Sequence, residues 1–196
     1  MKTDVYGKET ATQDKPWSES QSGAPKPTAN KEDVLKKMEA AARPGPAHQA
    51  LNDLVGDWKA EVKCWQEPSG SPEVTQGTAN IRWTLNNHFL EEDFRGQMMG
   101  KPFSGRTLMG YDNTKQTFST VWVSDTQTSM FVSEGKGDSG NKVITLEGKS
   151  SCAATGRKEV PMKSVLRMID RNKHVFEMYD SSQGSAKMME ITYTRK

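Results

Sequence analysis

The spacing of hydrophobic and polar residues changes once along the chain, close to Gly56. Before that position, apolar residues recur at intervals that place them on one face of a helix. These residues are Val34, Leu35 and Met38. Asn30 can cap the helix, and the Arg-Pro-Gly-Pro run at 43–46 ends it, because proline cannot continue the helical hydrogen bonds. The pattern predicts a short helix and a Pro/Gly linker over residues 30–46.

Beyond Gly56, apolar and polar residues alternate with a period of two, which is typical of strands that bury one face. Turns rich in Asp, Asn, Ser and Gly separate the runs. The runs lie at about 58–64, 79–85, 88–96, 103–111, 116–124, 128–135, 142–149, 160–169, 174–181 and 186–195. Closing such a sheet removes its exposed edges. We therefore predict an all-β, antiparallel, up-and-down barrel of about ten strands over residues 47–196.

The first part of the chain, residues 1–29, has a different composition. It consists mainly of Lys, Thr, Ser, Gln, Gly and Pro, with isolated apolar residues. Only 33% of the whole chain is hydrophobic, and the mean hydropathy is -0.81. So little apolar surface in this segment cannot offset the entropy cost of ordering it. We predict a disordered tail over residues 1–29.

Charge and hydropathy exclude several classes of partner. Lys and Arg number 27 against 25 for Asp and Glu, a near balance that offers no attractive field to nucleic acid. No apolar run reaches the roughly 18 residues that a membrane-spanning helix needs, and the start of the chain lacks the apolar core of a secretory signal. We expect no nucleic-acid partner, no membrane insertion and a cytoplasmic location.

Metal and cofactor motifs give no positive signal. The three histidines, at 48, 88 and 174, are far apart and lack the spacing of a metal site. The glycine-rich run 135–140 matches a dinucleotide-binding pattern by its letters, but it leads into a predicted strand and not into a helix. It is better interpreted as a hairpin. We expect no metal and no cofactor.

Strand alternation makes one carboxylate conspicuous. If Leu90 and Phe94 face the barrel interior, Glu92 must face it as well. A carboxylate in an apolar interior must find a partner or take up a proton. Glu92 could therefore anchor a ligand or act in acid–base catalysis, and its possible partners are Tyr193, Arg195, Thr107 and Tyr111. The structural alternative is an internal polar network.

The barrel interior is the predicted binding site. Flexible methionines and aromatic rings along the strands would suit a small apolar or amphipathic molecule. The residues expected to line it are Trp83, Leu90, Glu92, Phe94, Met109, Trp122, Phe176 and Met178. The leading interpretation is a binding protein that is not an enzyme. Two alternatives stay open. One is an enzyme that uses Glu92 and Tyr193 in acid–base chemistry. The other is a structural or interaction protein with a filled barrel, whose tail and helix over residues 30–42 dock on a partner or on a second copy of the chain, as a homodimer.

Several segments resemble known proteins. Gly56-x-Trp58 after a helical turn resembles the opening of calycins, the superfamily that includes lipocalins. That resemblance implies a lipocalin-like barrel in which the tryptophan closes one end and an arginine late in the last strand, here Arg195, lies over its indole. Such a contact contributes about 0.5–2 kcal/mol. The segments 44–65, 89–113 and 174–195 resemble a bacterial calycin family of unknown function, number 1579. This family implies a fold but no activity or ligand.

Overall fold

The computed structural model describes residues 30–67, 69–153 and 155–196. The predicted tail over residues 1–29 lies outside the described residues. Helix α1 spans Lys31–Ala42 and helix α2 spans Pro46–Ala50, and a 3-10 helix at Leu51–Leu54 leads into the first strand. The helix predicted within residues 30–46 is confirmed, and Asn30 caps it by accepting a hydrogen bond from the Glu32 amide.

Ten strands follow, and each one pairs antiparallel with the next along the chain. They are β1 (Gly56–Cys64), β2 (Glu73–Thr84), β3 (Phe89–Met98), β4 (Lys101–Asp112), β5 (Thr117–Ser124), β6 (Phe131–Gly137), β7 (Val143–Cys152), β8 (Arg157–Asp170), β9 (Lys173–Asp180) and β10 (Ala186–Arg195). Strand β1 also pairs with β10, so the sheet closes. The predicted ten-stranded up-and-down barrel is confirmed. A second short 3-10 helix, Ser181–Gln183, joins β9 to β10.

Strand alternation sets the inside and the outside of the barrel, as the period of two predicted. Trp58 and Ala60 on β1 are fully buried, whereas Lys59 between them is exposed. Residues that pair across neighbouring strands point to the same face of the sheet. The inner and outer positions of one strand therefore determine those of the next strand all around the barrel. Ile81 pairs with Glu92, so the carboxylate shares the inner face with a buried isoleucine.

Buried apolar side chains fill one half of the barrel and part of the other. The 3-10 helix covers one end, which we call the closed end, and inserts Leu51 and Leu54 into the larger core cluster. A smaller cluster of Phe131, Val160 and Met162 lies on β6 and β8 toward the opposite end, which we call the open end. The half-buried Trp122 packs against both clusters.

Helix α1 is attached to the closed end through its last carbonyl groups. Asn113 donates from Nδ2 to the carbonyl oxygens of Ala41 and Arg43, each at 2.8 Å. His88 Nε2 lies 2.7 Å from the Ala42 oxygen. No residue of α1 itself is buried, and its apolar side chains point to solvent. Within the described residues, no helix has the length and the apolar composition needed to cross a membrane.

The attachment of α1 leads to a first prediction. In Asn113→Ala, amide hydrogen exchange in α1 should accelerate because a twelve-residue helix is only marginally stable by itself. The free energy of unfolding of the barrel should change by less than about 0.5 kcal/mol, since α1 buries no side chain. Hydrogen exchange and urea denaturation measure the two effects. Gln76→Ala, an exposed change on β2, is the control, and protection of α1 that is equal in both variants would contradict the assignment.

Candidate functional site

The closed end is sealed by Trp58 and Arg195. The Trp58 side chain is fully buried, and its indole Nε1 donates to the Leu54 carbonyl at 2.8 Å. The Arg195 guanidinium carbon lies 4.2 Å from the centroid of the indole ring. Because a cation over an indole face is attracted by the ring's negative face, this contact joins the first strand to the last one.

The Arg195 side chain donates hydrogen bonds to backbone carbonyl oxygens. It donates to Arg171 O at 2.6 Å, Val55 O at 2.7 Å and Asp53 O at 2.8 Å. Gly56 lies directly beneath this guanidinium, with a φ of +142° that L-residues rarely adopt. A Cβ on residue 56 would overlap Arg195 Nη1. The glycine of the Gly-x-Trp motif is therefore required both by its backbone conformation and by the closeness of the arginine.

Two further rings continue the packing from Trp58 into the interior. The His174 ring meets Trp58 edge to face, with centroids 4.4 Å apart. On its other side, His174 stacks on Tyr193 with centroids 4.2 Å apart and planes inclined by 15°. His174 and Tyr193 are 3% and 5% exposed. A continuous column of rings therefore leads from the sealed end toward the centre of the barrel.

The column ends at Glu92. The Tyr193 hydroxyl donates to Glu92 Oε1 at 2.9 Å, and Thr107 Oγ1 donates to Oε2 at 2.8 Å. Tyr193 lies on β10 and Glu92 on β3, so this hydrogen bond crosses the inner faces of β1 and β2. Those faces carry the small buried residues Ala60 and Ala79, which leave room for the tyrosine side chain.

Burial sets the protonation of these groups. It raises the pKa of Glu92, and the hydrogen bonds from Thr107 and Tyr193 partly oppose the rise. Burial, together with the neighbouring Glu92 carboxylate, raises the pKa of Tyr193 well above its ordinary value. Burial also lowers the pKa of His174 to about 3, with Arg195 as a smaller cause. His174 is therefore a neutral imidazole at physiological pH.

Glu92 is less buried than its inward neighbours on β3. Leu90 and Phe94 are each 3% exposed. Glu92 between them is only half-buried. The other half-buried inward residues nearby are Thr107, Trp122, Phe176, Met178 and Met189.

The predicted lining residues separate into two groups. Leu90 and Met109 belong to the core of the closed half, and Trp83 donates its indole hydrogen to Asn52 of the 3-10 helix at 2.8 Å. Phe94 is buried and meets Trp122 edge to face at 6.3 Å. Five of the eight predicted residues are half-buried, namely Trp83, Glu92, Trp122, Phe176 and Met178.

Three polar residues at the site become neighbours through the strand register, and only Thr107 among them is predicted from the sequence as a possible partner of Glu92. Thr107 bonds to Glu92, His174 stacks on Tyr193, and Ser164 faces the interior between the paired residues Leu146 and Met178. Alternation predicts that all three face inward, but only the strand register shows which of them are neighbours.

Two of these inward polar groups are unsatisfied. Ser164 Oγ and His174 Nδ1 are buried and have no hydrogen-bond partner among the described residues. Ser164 is 1% exposed. An unpaired buried hydroxyl costs about 1–3 kcal/mol, so Ser164 marks a place where a bound molecule or a water would supply the partner.

Known metal-site geometry is not present in the described part of the chain. Across residues 30–67, 69–153 and 155–196, no three His, Cys, Asp or Glu side chains are grouped closely enough to hold a metal ion.

Comparisons with known proteins identify a family and a solved structure with a similar fold. The family described as "Protein of unknown function (DUF1579)" matches residues 43–195. The crystal structure of Rv2717c from M. tuberculosis is 19% identical, covering 79% of this chain and 99% of that chain with a TM-score of 0.57. A redesigned beta barrel is 12% identical and covers 77% of this chain and 96% of its own, with a TM-score of 0.40. No curated protein matches the sequence.

The packing of Gly56 under Arg195 generates a second prediction. Gly56→Ala should lower the free energy of unfolding by about 2–4 kcal/mol, because the methyl group displaces the guanidinium and strains the backbone. Urea denaturation followed by tryptophan fluorescence measures the change. Gly140→Ala is the matched control, since the nearest atom to its added Cβ is 3.9 Å away. Equal stability of the two variants would refute the account of the seal.

The buried neutral His174 generates a third prediction. The pKa of His174 is 6.5 when the side chain is exposed and about 3 in the folded protein. Between these two pH values, the unfolded chain therefore binds a proton at His174 that the folded protein does not bind. The free energy of unfolding should therefore fall as the pH drops below 6.5. Between pH 7 and pH 5 this histidine alone should cost about 2 kcal/mol. His174→Phe keeps a ring between Trp58 and Tyr193 but should lack this loss. Parallel pH profiles of wild type and variant would be inconsistent with a neutral His174.

Proposed function

The chain belongs to the DUF1579 family of proteins of unknown function, and on that premise we propose that it binds a small apolar or amphipathic molecule in its barrel interior. The observation that carries the proposal is the partial exposure of Glu92, an inward side chain enclosed by protein. A filled barrel would bury this residue as completely as it buries Leu90 and Phe94. The interior therefore has space for a guest.

The side chains around this space suit an apolar body. Trp122 offers an indole whose six-membered ring lies over Gly105, where any Cβ would overlap it. Phe176 and Met178 face the same interior from β9. An aromatic surface and a flexible thioether adapt to guests of different shapes. Entry would be through the open end, because α2, the 3-10 helix and Trp58 occupy the other one.

A calycin relationship is the second part of the proposal. A closed up-and-down barrel, a Gly-x-Trp motif at its start and an arginine over that indole together support it. Proteins of that superfamily hold ligands inside their barrels, which agrees with the proposed site. The homodimer and the cytoplasmic location expected from the sequence stay predictions.

An enzyme that uses Glu92 and Tyr193 is the alternative function. The observation that favours it is their direct hydrogen bond of 2.9 Å inside an accessible space. Because the pKa of Tyr193 is raised, the phenol keeps its proton, and Glu92 would be the base. Glu92→Gln should then abolish turnover of any substrate found while retaining the fold. An unchanged rate would exclude this chemistry.

The binding proposal leads to a fourth prediction. The neutral fluorescent probe N-phenyl-1-naphthylamine should bind to the wild-type protein, and its emission should rise as it leaves water. Met178→Trp, which adds volume inside the barrel, should weaken that binding at least about tenfold. Val175→Trp, on the outer face of the same strand, is the matched control and should bind the probe as the wild type does. Equal affinity of Met178→Trp and wild type would place the site elsewhere.

A further inference from the structure

We infer that the molecule held in the barrel carries a positively charged amine on an apolar body, and that the Glu92 carboxylate receives the amine. This inference rests on the binding function proposed above and names the chemistry of its ligand. The barrel contributes the apolar wall, and the carboxylate contributes the charge.

The hydrogen bonds of Glu92 leave its charge unpaired. Each of its two oxygens accepts a hydrogen bond from one neutral hydroxyl, that of Tyr193 or that of Thr107. Neither hydroxyl supplies a positive charge, so an ionised Glu92 would have no counter-charge among these contacts. Among the described residues, no Lys, Arg or His lies within ion-pair distance of Glu92.

The two carboxylates that are almost fully buried, Glu177 and Asp180, have cationic partners, whereas Glu92 has none among the described residues. The buried Glu177 is paired with Arg167 at 3.0 Å and with Lys187 at 2.6 Å. The buried Asp180 is paired with Arg157 at 3.4 Å. A buried carboxylate without a counter-charge is costly, so the missing partner at Glu92 points to a cation that arrives with the ligand.

The carboxylates that flank Glu92 in sequence are paired as well, on the outer face. Arg82 and Arg106 both contact Glu91, at 3.1 Å and 3.2 Å. The same two arginines pair with Asp93, at 2.7 Å and 2.8 Å. Arginines are therefore abundant beside this strand, yet none of these contacts is on its inner face.

Cations near the interior do not compensate Glu92. His174 stays neutral, because burial lowers its pKa to about 3. Arg195 lies over Trp58, and its donors are directed at the carbonyl oxygens of Asp53, Val55 and Arg171. Neither group therefore pairs with Glu92, and an ionised Glu92 would attract a cation and repel an anionic head group.

The neighbours of Glu92 suit an ammonium group attached to an apolar chain. Thr107 pairs with Glu92 on one side and with Trp122 on the other, so the carboxylate on β3 and the indole on β5 face the same interior from either side of β4. The indole would suit the apolar part of such a molecule or, by its ring face, an ammonium group. The unsatisfied Ser164 hydroxyl faces the same interior from β8 and offers a second polar contact.

Three ligands that differ only in their head group test the inference. Decylammonium, decanol and decanoate should be titrated into the full-length protein by calorimetry, below the concentrations at which they form micelles. Decylammonium should bind at least about tenfold more tightly than decanol, and decanoate should bind most weakly. The preference for decylammonium should diminish when the pH is lowered and Glu92 takes up a proton.

The outcomes separate the ligand class from the binding function. Binding of none of the three ligands would overturn the proposed function together with this inference. Equal binding of all three, or the tightest binding by decanoate, would overturn the amine class while the binding function stands. Both results are obtained on wild-type protein and do not depend on the folding of a variant.

Two variants assign the effect to Glu92. Glu92→Gln should bind decylammonium and decanol with equal affinity, whereas Glu91→Gln, on the outer face of the same strand, should keep the wild-type preference. Tyr193→Phe removes one hydroxyl from Glu92 but leaves the carboxylate and the stacked ring, so it should keep the preference too. Loss of the preference in Glu91→Gln, or its survival in Glu92→Gln, would overturn the role of Glu92.

Discussion

Closure of the sheet between β1 and β10 is the constraint on which the rest of this structure depends. Once the sheet is closed, every second side chain is inside whatever its polarity, and the contact of Arg195 with Trp58 holds the seam at one end. Arg195 uses three backbone carbonyls to connect β10 to the chain before β1 and to the turn before β9. The seal therefore depends on one residue at the end of the last strand and on the absence of a side chain at Gly56.

Closure also explains why polar groups accumulate inside. Glu92 and His174 both occupy inward positions of strands whose other inward residues are mostly apolar. The protein accommodates them by stacking His174 between Trp58 and Tyr193 and by giving each Glu92 oxygen one hydroxyl donor. These contacts lower the cost of burial, but they neutralise no charge. A polar group that remains costly inside a stable barrel is better explained by binding than by stability.

Much of this could be predicted from the sequence, because a period of two fixes the face of each residue. The period of two correctly predicted the ten strands. It also predicted that Glu92, Trp122 and Phe176 lie on the inner face among apolar neighbours. It could not show that Tyr193 reaches Glu92, since that contact crosses two intervening strands and depends on the shear of the barrel. Helix α1 illustrates another limit: its amphipathic pattern predicted the helix correctly but did not show that its apolar face stays exposed.

Rings and aliphatic chains pack under the 3-10 helix, and a smaller cluster of Phe131, Val160 and Met162 packs with Trp122 and Met178 toward the open end. Through Tyr193 and His174, Glu92 is connected to Trp58 at the closed end. A molecule that bound at Glu92 in the folded protein alone would also stabilise the folded chain.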